Sequence, residues 1–90
     1  MTDALSVSLT TTANSDEAER IAACLLDGRL AACVQILPRM TSIYVWDGKR
    51  CRSDEHLVLI KSTKALRSAI EQAIVSQHSY ATPQVVHFDA

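Results

Sequence analysis

The chain opens with two apolar periods in succession. Leu5, Val7 and Leu9 alternate with Ser6, Ser8 and Thr10, the pattern of a half-buried strand, and the pattern ends in the polar stretch Thr11–Ser15. Ala18, Ile21, Ala22, Leu25 and Leu26 then recur at helical spacing and make one apolar stripe. Asn14 and Glu17 have capping-box spacing, Asp16 and Glu17 suit the positive start of a helix, and Gly28 is a natural C′ stop.

From Arg29 to Lys61 the pattern predicts two long strands folded back at Asp47-Gly48, a dipeptide that suits the positive φ angles of a type I′ turn. The first arm, Ala31–Trp46, is ~16 residues and would span roughly 50 Å at ~3.3 Å per residue. A compact domain of this size has a radius of gyration of only ~12 Å, so one domain cannot cover such a hairpin. Its tip carries Ile43, Tyr44, Val45 and Trp46, which need covering; a second copy of the chain is the simplest cover. Pro38 cannot donate to a ladder, which predicts a bulge or edge position and divides the arm into Ala31–Leu37 and Thr41–Trp46. The return arm starts polar, from Lys49 to Glu55, and ends in Leu57-Val58-Leu59-Ile60, the run of a central buried strand.

Ser62 or Thr63 caps a second helix whose stripe is Leu66, Ala69, Ile70, Ala73 and Ile74. Gln77–Pro83 reads as a loop and Gln84–Phe88 as a last strand. The order β-α-β-β-α-β predicts an α+β, ferredoxin-like sandwich with a long hairpin: a single domain over residues 1–90, one antiparallel sheet and both helices on one face. The other sheet face is left bare and needs a cover of its own.

Composition narrows the function classes. A hydrophobic fraction of 48% fits a globular chain, and with aromatics at 4% the core must be Ile, Leu, Val and Ala. Net charge −1 with scattered Lys and Arg argues against a nucleic-acid or anionic-membrane partner. No apolar run approaches ~18 residues, so no membrane span is expected. The start, MTDALSVSLTTT, lacks the charged and apolar regions of a signal peptide. Cys24, Cys33 and Cys51 are odd in number and widely spaced, which points to free thiols and a reducing cytoplasm rather than a disulfide framework.

No phosphate loop, nucleophile elbow or paired metal-ligand motif is present, so an enzyme is not expected. Cys33 reads as a small buried hydrophobe, Cys24 and Cys51 as near-surface thiols, with Cys51 the one to watch for oxidation or metal. His78 either complements the negative end of the second helix or offers an imidazole to a ligand beside Tyr80, with Pro83 stiffening the loop. His56 and His87 are surface or packing residues. Tyr44 and Trp46 are oligomer contacts or a ligand platform, with the contact reading preferred.

Leu30–Val34 (LAACV), Ile36 and Pro38, Thr41–Lys49 (TSIYVWDGK), Glu55, the LIKS run ending at Ser62 and the loop His78–Pro83 together resemble the CutA divalent-ion-tolerance proteins over nearly the whole chain. The resemblance implies a ferredoxin-like fold in a tight homotrimer, similar to the nitrogen-regulatory PII trimers, with hairpins reaching across neighbours and sheets facing inward. Ile43, Tyr44 and Trp46 then fall at the trimer interface. It implies a role in tolerance to divalent metals, chiefly copper, with His78 the candidate ligand in this chain and Cys51 a second. Several family positions differ. Thr10 stands where the family has a Cys, Gln77 where it has a second His, Ser79 where it has Pro, and Ala81 and Gln84 where acids are common. Arg50, Cys51 and Arg52 replace an acidic start of the return arm; these changes remove carboxylate ligands. Family members usually continue past the last strand, so this chain is expected to be a C-terminally short member.

Two readings follow. The first is a cytoplasmic homotrimer that binds copper(II) or another divalent cation weakly at clefts between subunits near His78. The second is a non-enzymatic, PII-like signalling or scaffold trimer whose clefts take a small ligand or a partner protein, with Trp46, Lys61 and Tyr80 as contacts.

Overall fold

The computed structural model describes residues 4–90; residues 1–3, where the stretch read for a leader begins, lie outside them. In chain order the elements are β1 (Leu5–Thr12), α1 (Ser15–Asp27), β2 (Cys33–Trp46), β3 (Lys49–Thr63), a 3₁₀ turn (Lys64–Leu66), α2 (Arg67–Gln77) and β4 (Val86–Asp89). They form one four-stranded sheet in the order β2-β3-β1-β4, with every neighbouring pair antiparallel. This is the ferredoxin-like α+β arrangement expected from the element order.

The helices bury one side of the sheet. Ala18, Ile21 and Leu25 of α1 and Ile70 and Ile74 of α2 meet Val58 and Ile60 of β3, all at most 1% exposed. Each such Ile or Leu contributes about 2 kcal/mol by leaving water. β1 presents its polar residues to this core: Ser6, Ser8, Thr10 and Thr12 are at most 1% exposed. Burying a hydroxyl costs free energy unless it finds a partner, and three of these four do, while Thr10 Oγ1 has none among the described residues. Ser6 accepts from Arg67 Nε at 2.8 Å, Ser8 pairs with His87 Nδ1 at 2.6 Å, and Thr12 donates to the Asn14 carbonyl at 2.8 Å.

The apolar half of the β1 alternation therefore faces the open side. Val7 and Leu9 lie beside Lys61 and Leu59 of β3 and beside Phe88 and Val86 of β4. Leu57 and Leu59 are half-buried there, so only Val58 and Ile60 of the four-residue apolar run enter the core. Cys33 also lies on this side, opposite Lys61, and is exposed; the expectation of a buried thiol is corrected, because β2 is an edge strand and the helices cover only its Val34–Ile36 side.

The hairpin gives the molecule its shape, 48 × 24 × 21 Å. Asp47 (φ 52°) and Gly48 (φ 72°) both take positive φ, as a type I′ turn requires. The Pro38 interruption is a bulge, with the register shifting between Leu37 and Met40, yet the strand runs on as one element instead of dividing.

The helix ends depart from the sequence pattern in two places. α1 starts as expected, with Asn14 Oδ1 accepting from the Glu17 N–H at 2.9 Å. At its end Gly28 keeps φ −81°, and Arg29 takes the left-handed conformation at φ 56°. The Arg29 N–H donates to Leu26 O and the Leu30 N–H to Leu25 O, a Schellman closure with Leu30 packed on the core. Gly28 serves by close approach, since a Cβ there would stand 3.1 Å from Cys24 O. Arg29→Gly should accordingly raise stability by up to about 1 kcal/mol, the left-handed cost of a side chain less the freedom glycine adds to the unfolded chain. Urea denaturation checks it; a loss of stability would show that Arg29 is unstrained. The second departure is at α2, which starts at Arg67 after the 3₁₀ turn; neither Ser62 nor Thr63 caps it, because β3 pairing continues through both to Leu5 and Ser6 of β1.

Candidate functional site

Three segments converge where the hairpin leaves the body: the end of β1, the middle of β3, and the loop His78–Val85 between α2 and β4. Two carboxylates, buried or nearly so, organise this region. Glu17 is 2% exposed because it stands one turn before Ile21 and two before Leu25, on the row of α1 that faces the sheet. Its Oε2 accepts from the Ser79 N–H at 3.0 Å, which ties the loop to α1. Burial pushes the Glu17 carboxyl up, but hydrogen bonding from Ser79 outweighs it and holds the group below its ordinary value.

His78 caps the C-terminus of α2 and its side chain is fully buried. Nε2 lies 2.6 Å from Thr11 O, and Nδ1 accepts from the Tyr80 N–H at 3.1 Å. These partners select a neutral ring protonated on Nε2, with Glu17 Oε1 at 3.7 Å from Nδ1. The ring holds the loop in place, and a metal on it would have to displace Thr11 or the Tyr80 amide.

Glu55 is 8% exposed and accepts from the Tyr80 hydroxyl at 2.8 Å. Burial raises its carboxyl, yet hydrogen bonds from Ser42, Tyr80 and Thr11 outweigh that and keep it below the usual range. Burial and the same carboxylate push the Tyr80 phenol up to about 12, so it stays a neutral donor. Glu55 and Tyr80 sit in an open cleft of about 950 Å³ that runs out along Tyr44 to Trp46 on the hairpin.

The structure thus brings Trp46 and Tyr80 to one cleft and leaves Lys61 elsewhere, opposite Cys33 and Val7 on the open sheet face. Cys51 is half-buried across from Tyr44 near the turn, its Sγ 3.7 Å from Lys49 O. His78 and Cys51 are therefore separate within one chain, and among the described residues no group of three or more His, Cys, Asp and Glu is placed to hold a metal. Within the single chain these donors do not fit a divalent cation. Ile43, Tyr44 and Trp46 are 58%, 44% and 71% exposed. Glu17 went unread as a site residue because it also looked like a helix-start acid; its i, i+4 relation to Ile21 was the available signal.

Ser8, His87 and Glu71 also form an aligned chain, with His87 Nε2 2.7 Å from Glu71 Oε1. The Ser8 hydroxyl is fully buried, so the alignment ties β1, β4 and α2 together and offers a substrate no nucleophile. No helix among the described residues is long and apolar enough to cross a membrane.

The family model of the CutA1 divalent ion tolerance protein matches residues 6–90. A divalent-cation tolerance protein CutA from Thermus thermophilus is 38% identical over 80 residues, 89% of this chain and 78% of that protein. The chloroplastic protein CutA 1 of Oryza sativa is 34% identical over 76 residues, 84% of this chain, which spans only 43% of that protein's length. Among solved structures, CutA1 from Oryza sativa superposes with a TM-score of 0.96 at 31% identity, covering 99% of this chain and 82% of that one. CutA1 from a psychrotrophic Shewanella gives 0.93 at 36% identity, covering 100% and 84%.

Proposed function

The chain belongs to the CutA1 divalent ion tolerance protein family, and on that premise we propose that it serves divalent-cation tolerance as a non-enzymatic homotrimer in the reducing cytoplasm. The observation that carries the assembly is the open sheet face. Val7, Leu9, Leu57 and Leu59 are left without a covering layer while the helices bury Ser and Thr on the other side. The exposed aromatic hairpin, with Ile43, Tyr44 and Trp46, extends the same surface toward a neighbour. Thiols unpaired within the chain at Cys24, Cys33 and Cys51 suit a reducing compartment.

Copper(II) or another divalent cation binds weakly in this reading. Because the donors of one chain are scattered, the site spans subunits at the clefts near His78, with Cys51 of the hairpin as the second donor that a neighbour's approach supplies. Calorimetric titration of copper(II) into the wild type, His78→Ala and Cys51→Ser tests it, each variant first checked for its fold by circular dichroism. A loss of most of the heat in either folded variant is expected. Equal heats in all three remove both ligands.

The second reading, a PII-like trimer that signals through a small ligand or partner protein, draws on the size of the cleft between Tyr80 and Trp46. A thermal-shift panel of nucleotides and metabolites separates the two: a metal response alone removes it.

A further inference from the structure

We propose that the cavity at the end of the sheet opposite the hairpin binds a small monocarboxylate with a hydrocarbon tail, the tail lying among Leu26, Leu30 and Leu66 and the carboxylate on Arg29. The inference rests on neither the metal role nor the trimer.

The cavity follows from the connections. α1 ends at Asp27 and β2 begins at Cys33, so residues 28–32 join the helix layer to the end of the sheet. This connection, the last turn of α1 and the 3₁₀ turn Lys64–Leu66 wall an open cavity of about 350 Å³. Leu30 and Leu66 pack on the core and also line it, and Leu26 adds a large apolar group that is 44% exposed. Ala31 and Ala32 line it with single methyl groups, which leaves room for a guest. No hairpin-tip residue lines it, and neither do Leu57 and Leu59. Of the open-face register only the terminal pair, Leu5 and Thr63, reaches it, so covering that face leaves the walls on the helix side accessible.

Arg29 sets the sign of the guest. It is the one charged side chain in the lining. Among the described residues it has no carboxylate partner: Arg20 reaches Glu17, Arg39 reaches Asp54, and Lys64 and Arg67 share Asp89. Its side chain is not needed to close α1 either, because the carbonyls of Cys24, Leu25 and Leu26 already take the N–H groups of Gly28, Leu30 and Arg29. Arg29 stands in the left-handed conformation at φ 56°, which glycine holds at less cost. The chain thus gives up stability to keep an arginine at this cavity, and such costs collect at functional sites. A guanidinium meets a carboxylate through two parallel hydrogen bonds, and leucine walls favour a tail of methylenes. The volume is at the small end for ligand cavities, which suits a chain of several carbons and excludes a large cofactor.

The full chain is titrated with sodium octanoate below its micelle concentration and followed by amide NMR, with octanol as the tail alone and sodium acetate as the charge alone. Saturable shifts confined to residues 28–32 and 62–66 are expected with octanoate. Octanol and acetate should each bind at least about tenfold more weakly, the scale of one charge-assisted pair or a few buried methylenes. Arg29→Gly should keep the fold, since it relieves the left-handed side chain, and should weaken octanoate by about tenfold or more. Leu26→Glu, at an exposed position, sets a repelling carboxylate in the wall and should weaken octanoate as well. Shifts centred on Leu57 and Leu59, equal binding of octanol, no saturable response in the wild type, or unchanged affinity in either folded variant overturns the proposal.

Discussion

Leu59→Asp should reduce the proposed trimer to a monomer in sedimentation at micromolar concentration. Leu59 is at the centre of the open sheet face, between Leu9 of β1 and Gln35 of β2, with Leu57 and Lys61 on either side along β3. It is half-buried within its own chain, and nothing in the core rests on it, because Val58 and Ile60 carry that contact. The substitution therefore leaves the fold nearly intact and acts on the face alone. In the proposed trimer three such carboxylates would be driven together into an apolar centre. An unpaired buried charge costs several kcal/mol, and three copies exceed what a small apolar interface gains at about 25 cal/mol per Å². A trimer that survives Leu59→Asp would show that the interface uses another surface, and a wild type that sediments as monomer would remove the assembly altogether.

That face also shows what the sequence could and could not reveal. The alternation Leu5-Val7-Leu9 is plain, and so is the strand it makes, but alternation does not say which side meets the helices. Here the polar side does, because Ser6, Ser8 and Thr12 find Arg67, His87 and the Asn14 carbonyl as partners. Those partners lie on other elements, and no local pattern announces them. The turn and the bulge of the hairpin were legible, since Asp47-Gly48 and Pro38 act on their own backbone, whereas the expected division of its first arm was not borne out. Gly28 misled for the opposite reason: the residue type suited a left-handed end, yet close approach to Cys24 O needed the glycine one position earlier and left the strain on Arg29. The site was legible only in part. Tyr80 and Trp46 were picked out and do share a cleft, but Lys61 follows the register of β3 away from them. The hydrogen bonds to Glu17 and Glu55 come from a loop folding back to both, which is a tertiary event.

Glu17→Ala should destabilise the fold by about 2 kcal/mol at neutral pH, the scale of losing a hydrogen bond to a charged, buried acceptor. The carboxylate takes the Ser79 N–H and stands beside the His78 ring, so its loss removes the acceptor of that N–H and frees the loop that carries Tyr80. Glu17→Gln keeps the size and an acceptor oxygen, and should cost about half as much, since a neutral acceptor recovers roughly one hydrogen bond of ~1–1.5 kcal/mol. The pH dependence separates charge from packing. Glu17 has a folded pKa below its ordinary 4.5, so it contributes stability that is present above that value and lost as pH falls through the folded value. Urea denaturation from pH 7 to pH 3, both set by the experiment, should therefore show a decline in the wild type that begins near 4.5 and is shallower in Glu17→Gln. Glu55, shifted in the same direction, continues to titrate in both proteins and leaves a common residual slope. Parallel curves would mean that Glu17 is held by shape alone, and the buried charge would then have no part in fixing the loop that shapes the cleft.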